Sequence, residues 1–336
     1  MALDDGVVLR EEDPKKFRTR RVKVWEELNQ MEGGDQLYLS VNGDEIDFSQ
    51  MTELRKQPVS SETIRNNIFG ENKREGHVFA NVGVGASIIA KIDGKNYWLG
   101  IVQSREQELQ GSVVVNHISG YVPIEDLENL LRRVKTEISE ELLPVDGEGR
   151  IYRFIVDHAL IGRPYLDKFE DHGTKIPLEF RETGKYQERC FDYDGLSVHS
   201  EKGIGLGDTG RQDKRIFFEP VRNSAKVIYK VTADMSGLDI FGDKISFNSA
   251  KEKFNPITRK IEAIYRKGGI VLLGIEKGQL NGSAYELRDG KFKEVDTQNM
   301  HLNEAFDIGD NSIVRGNTAS ILFSDYLEKQ RAKSGA

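Results

Sequence analysis

One cysteine, Cys190, in a chain of 336 residues excludes an intramolecular disulfide framework and a cysteine-rich zinc site. Proline is scarce, at 8 residues, and the 33 glycines follow no fixed period, which excludes collagen-like and other repeat architectures. No apolar run approaches the roughly 18–20 residues that cross a bilayer, and Met1–Arg10 lacks the charged start and apolar stretch of a signal peptide. A cytoplasmic protein with no membrane partner is the expectation. An excess of positive charge is missing too: 48 basic residues against 55 acidic ones give a net charge of −7, which argues against a chain-wide nucleic-acid footprint but leaves a local patch open. The six histidines (His77, His117, His158, His172, His199 and His301) show no zinc-ligand spacing.

What remains is a polar globular chain, 38% hydrophobic and 31% charged, long enough for two domains or for one with large insertions. Asp13-Pro14 opens a helix-permissive stretch through Met31, dense in Lys15, Lys16, Arg18, Arg20, Arg21 and Lys23. This Lys15–Lys23 run reads as a solvated helix face or as a dock for an acidic partner. Gln36–Val41 and Glu45–Phe48 around Asn42-Gly43 suggest a small hairpin, and Ser60–Gly76 a helix and linker. Val78–Ile92, the Asp93-Gly94 turn and Tyr97–Val102 form strand, turn and strand; Ser112–His117 and Ile151–Ile161 read as further strands. Gly162–Arg215 is loop-like and reads as an insertion, Arg215–Phe218 and Lys226–Thr232 as strands, Ser249–Lys267 as a helix, Ile270–Ile275 and Ala284–Leu287 as strands, and Thr318–Lys329 as a last helix.

The chemistry-bearing stretch is Glu128–Pro144, ENLLRRVKTEISEELLP. Ile124, Leu127, Leu130, Leu131, Val134, Ile138 and Leu142 recur at helical spacing, and Pro144 ends the helix. At about 100° per residue, Glu137, Glu140 and Glu141 share one sector at the border of this apolar stripe. Like charges so placed raise one another's pKa, and a hard divalent cation such as Mg²⁺ or Mn²⁺, which prefers oxygen ligands, would relieve them. Glu128 with Arg132 and Arg133 with Glu137 also read as ordinary i,i+4 pairs.

The stretch resembles the signature of the Nudix hydrolases, G-x5-E-x7-R-E-U-x-E-E-x-G-U, with U a bulky aliphatic. The motif's acids match Glu128, Glu137, Glu140 and Glu141, and its first aliphatic matches Ile138. Val122 stands at the opening glycine, with Gly120 two residues earlier; Thr136 replaces the arginine, Leu143 the second glycine and Pro144 the closing aliphatic. Gly83–Arg105 is similar to the paired strands that precede the signature. The resemblance implies a Nudix-like α/β/α sandwich with a mixed sheet: an appendage over residues 1–75, a core over 76–268 with an insertion near 162–214, and an extension over 269–336. It also implies that Glu137, Glu140 and Glu141 bind Mg²⁺ or Mn²⁺, that Glu137 and Glu140 are catalytic, and that Glu128 is structural. Arg133 stands where it could partly replace the arginine.

The expected activity is metal-dependent hydrolysis of a phosphoanhydride in a nucleoside diphosphate linked to another group. The intact acids favour it. The missing arginine and glycines favour a second class, a Nudix-fold protein without turnover that binds a nucleotide, RNA or protein as sensor or scaffold. Asp157 and Glu219 are candidates for a further acidic ligand from outside the helix. Tyr97, Trp98, Tyr152 and Phe154 could hold a base, although core packing is their commoner role. Gly205–Gly210 fits G-x-G-x-x-G without the strand-to-helix context of a dinucleotide site, and Cys190 has no catalytic signature.

Overall fold

The structure, a computed structural model, describes residues 8–29, 34–71, 75–102, 113–127, 129–162, 169–181, 204–208, 216–219, 222–242, 245–277, 279–288, 290–295, 300–302, 306–307, 313–314 and 321–322. Cys190, Glu128 and His199 lie outside them. The N-terminal part contains β1 (Val8–Glu12), β2 (Arg18–Asn29), β3 (Gly34–Asp47), α1 (Phe48–Arg55) and α2 (Ser61–Phe69). The expected basic helix is instead a 3-10 turn at Pro14–Lys16 followed by β2. The reason is period-two patterning: Val22 and Val24 are buried and Arg21 and Lys23 are not, an alternation that a strand separates onto two faces and a helix does not. β3 pairs with β2 along its length, so Asn42-Gly43 is not a hairpin turn. Arg20 faces Glu45 and Arg21 faces Asn42, which leaves Gly43 and Asp44 bulged out, with Gly43 at φ +83°.

Next come β4 (His77–Phe79), β5 (Val82–Ile92), β6 (Lys95–Val102), β7 (Val113–Asn116) and β8 (Ile118–Tyr121), then α3 (Leu130–Glu141). Asp93 and Gly94 both have positive φ, 48° and 75°, and close the β5–β6 hairpin. The Asn129 side chain accepts from Arg132 N and starts α3; the extended residue Leu142 ends it, and Leu143-Pro144 continue directly into β9 (Leu143–Asp146). β10 (Ile151–Val156) turns through Asp157 and His158, both at positive φ, into β11 (Ala159–Leu160).

The remaining described strands include β12 (Asp171–Arg181), β13 (Ile204–Asp208), β14 (Ile216–Glu219), β15 (Ser224–Asp234), β16 (Ile245–Asn255), β17 (Lys260–Lys267), β18 (Ile270–Glu276), β19 (Gln279–Arg288) and β20 (Lys291–Glu294). Three expectations are corrected here. The expected helix over Ser249–Lys267 is the β16–β17 hairpin, whose Asn255 side chain accepts from the N–H groups of Ile257 and Thr258 in the turn, and whose Ile261, Ala263 and Tyr265 alternate inward. The expected insertion is not all loop: β12 joins the large sheet, parallel to β10 and antiparallel to β15. Gly205–Asp208 belongs to β13, which pairs with β3. The expected last helix lies outside the described residues except for Ile321–Leu322, which are strand.

The α/β/α sandwich is therefore overturned. Strands dominate, in one large mixed sheet and a small sheet of β13, β3, β2 and β4, with three α-helices among the described residues. Two segments expected to supply helical layers are strands, so the helices that would cover a sheet on both faces are missing among the described residues. β15 runs parallel to β5, from Ala225 beside Val82 to Asp234 beside Lys91. β8 and β6 pair with successive stretches of the other edge of β5. Into this framework α3 packs against β5, β8 and β16, burying Leu130, Val134 and Ile138 completely. Each such side chain contributes about 1.5–3 kcal/mol of apolar burial. That burial fixes which way the helix presents its glutamates. No helix among the described residues is long and apolar enough to cross a membrane.

Candidate functional site

Glu137, Glu140 and Glu141 all line one cavity of about 310 Å³, between α3, β8, β15 and β16. Glu137 and Glu140 are only 4% and 5% exposed, so two carboxyl groups sit at the foot of the helix's packed face. Glycine makes this possible: a methyl group at Gly120 in β8 would overlap the Glu137 carboxylate. Arg133, one turn earlier, forms an ion pair with Glu137, and its Nε donates to the Tyr121 carbonyl at 3.1 Å. Glu141 accepts from the Ser119 N–H at 3.1 Å. Gly85 in β5 likewise gives room to the buried ring of His117, which also lines the cavity.

Burial pushes the Glu137 carboxyl up to about 7; the Arg133 cation opposes the rise and the Glu252 charge adds to it. Burial, followed by the Glu137 charge, pushes Glu140 up to about 8. Near neutral pH the pair therefore holds protons that ordinary carboxylates would have lost.

Among the described residues, the further acid at the cavity is Glu252, on β16. Of the sequence candidates, Asp157 sits in the exposed β10–β11 turn away from the cavity, and the side chain of Glu219 lies outside what is described. Reading 249–267 as a helix hid Glu252. The cavity also has a basic side that the sequence analysis missed, with Arg55 from the end of α1, Arg222 from the turn before β15, and Lys226 within it. Lys226 Nζ donates to Ser119 Oγ at 3.2 Å. These residues are remote in sequence from the acidic motif, and only the β5–β15 pairing brings Lys226 beside Gly83. Of the aromatic candidates, Trp98 is fully buried with its indole N–H on Ser87, Tyr152 stacks on His172, and neither Tyr97 nor Phe154 lines the cavity.

Compared with family models, curated proteins and solved structures, the chain matches none of them. The chemistry must therefore be read from the cavity alone. The donor atoms there are of the type a hard cation prefers, four carboxylates on one cavity. Among the described residues, however, no three acidic, histidine or cysteine side chains come together as a ligand set. Glu137 is instead committed to Arg133, and Glu141 to a backbone N–H.

Proposed function

We propose that this cavity binds a phosphorylated small molecule of nucleotide type, and that the protein acts first as a binder. The observation that carries the reading is the pairing, on one cavity, of Arg55, Arg133, Arg222 and Lys226 with glutamates of which two retain protons near neutral pH. With Glu137 and Glu140 partly neutral, positive charge prevails at the cavity wall, and phosphate groups are the small-molecule anions that guanidinium forks and lysine suit. A protonated Glu140 adds a hydrogen-bond donor toward a phosphate oxygen. The volume is at the small end of ligand sites, so a phosphate-bearing portion fits inside while a larger group extends past the mouth.

A second reading is Nudix-type, cation-dependent hydrolysis of a phosphoanhydride. It is favoured by the presence of Glu137, Glu140, Glu141 and Glu252 on one cavity. Mg²⁺ or Mn²⁺ would there supply charge neutralisation and polarisation of a phosphoryl oxygen. In that reading Glu137, Glu140, Glu141 and Glu252 would hold the cation, and Arg133 and Lys226 would bind and orient the substrate phosphates.

One experiment separates the two. Nucleotide sugars, dinucleoside polyphosphates, NAD and nucleoside triphosphates are incubated with the protein and Mg²⁺ or Mn²⁺, binding and turnover being measured for the wild type and Glu140→Gln. Binding without turnover supports the first reading, cation-dependent turnover abolished by Glu140→Gln supports the second, and absence of both overturns the cavity as a phosphate site.

A further inference from the structure

We propose that Arg55, carried to the cavity by the N-terminal segment, is a recognition residue that grips a phosphate group of the bound molecule. The inference rests on the reading of the cavity as a phosphate site and names a residue that the acidic motif gives no reason to expect. Arg55 occupies the last turn of α1, whose start is fixed by a capping box: the Asp47 side chain accepts from Gln50 N, and the Gln50 side chain accepts from Asp47 N, both at 2.9 Å.

The guanidinium is held on two sides. It lies 4.8 Å above the Tyr121 ring centroid, and its Nη1 donates to Asn81 Oδ1 at 3.2 Å. Asn81 is fully buried and its amide is oriented by donation to the Val82 carbonyl, so its oxygen is the atom that faces Arg55. Tyr121 is itself wedged edge-on by Phe17 and Phe48, at 6.5 and 6.1 Å between centroids. Stacking occupies a face of the guanidinium, whereas phosphate recognition uses its edge of N–H donors. A long side chain immobilised before binding loses little rotamer freedom when an anion arrives.

The N-terminal segment is also bolted to the cavity at other points. Thr19 Oγ1 donates to the Val122 carbonyl at 2.7 Å, one residue past Tyr121. The buried His77 ring bridges Asn67 of α2 and Asn223, each at 3.1 Å, and Asn223 follows Arg222. The same segment therefore places Arg55 directly and braces the turn that carries Arg222.

The test is calorimetric titration of the full chain with inorganic pyrophosphate, with and without Mg²⁺, for wild type, Arg55→Ala and Arg55→Lys, with thermal unfolding of each. Wild-type binding that weakens about tenfold or more in Arg55→Ala, and by less in Arg55→Lys, at unchanged unfolding temperature supports the proposal. Arg55→Lys keeps the charge and loses the fork, so it decides the matter if Arg55→Ala is unstable. Wild-type binding that both variants retain undiminished overturns the role of Arg55 and leaves the cavity reading intact. Failure of the wild type to bind pyrophosphate under either condition overturns the cavity reading itself.

Discussion

The two sides of the cavity are built on opposite physical terms. The acidic side comes from α3, a helix whose apolar stripe is fully buried, so Glu137 and Glu140 are carried into the interior by the packing of Val134 and Ile138. Their charge is disfavoured there, and both carboxyls are raised. The basic side is assembled from α1, the Arg222 turn and β15, and its Arg55 is half-buried and steadied by a ring and an amide. One side gives up charge to be buried while the other keeps charge by staying near water. Stability should therefore be most sensitive on the acidic side, and ligand affinity on the basic side.

The largest effect on stability is expected from Arg133→Met. It leaves Glu137 buried beside Gly120 without its cation, and breaking a buried pair from one side costs about 3–5 kcal/mol. Urea denaturation should show most of that loss at pH 8.5 and much less at pH 5.5, where Glu137, raised to about 7, is protonated. An equal loss at both pH values would mean that the pair is held by packing and not by charge.

Gly120→Ala should come next. The added methyl meets the Glu137 carboxylate, and overpacking of this kind typically costs about 1–3 kcal/mol. Since the three atoms nearest to the added methyl all belong to the Glu137 carboxylate, the double variant Gly120→Ala with Glu137→Ala should recover part of the loss. A strictly additive double variant would separate the two residues.

Third is the pH profile of the ligand-free protein. Glu137 and Glu140 titrate near 4.5 when unfolded and near 7 and 8 when folded. Between those values the folded state binds protons that the unfolded state has lost, so stability falls as pH rises from about 4.5 and the loss is complete only above about 8. Glu140→Gln should flatten this slope and be more stable than the wild type at pH 8.5. A wild-type midpoint that rises from pH 5 to 8.5 would contradict the burial of these carboxyls.

How much of this was legible in the sequence also divides along the two sides. The acidic side was readable because its signal is local: a sustained helical apolar period placed Glu137, Glu140 and Glu141 in one sector, and Arg133 was foreseen as the partner of Glu137. The β5–β6 hairpin was readable from its β-branched run and Asp93-Gly94 turn. The basic side and the overall architecture were not. Arg55, Arg222 and Lys226 meet the acids through strand pairings between segments far apart in the chain, and no local period encodes such pairings. The helix expected over 249–267 fails for another reason, since the Asn255-Pro256 turn and the period-two alternation of Ile261, Ala263 and Tyr265 mark a hairpin. Expecting a helix there added a helical layer that the described fold lacks, and hid Glu252.

The smallest effect sharpens the comparison furthest, because it isolates one stacking contact on the basic side. Tyr121→Phe keeps a ring beneath Arg55 and between Phe17 and Phe48, so both unfolding free energy and pyrophosphate affinity should stay close to wild type. Tyr121→Leu keeps the position apolar but removes the ring face, and with it a cation–ring attraction of about 0.5–2 kcal/mol, so affinity should fall a few-fold or more. If leucine and phenylalanine bind pyrophosphate alike, the ring does not organise the guanidinium. Asn81→Ala should then weaken binding where Tyr121→Leu does not, since it removes the oxygen that Arg55 reaches at 3.2 Å.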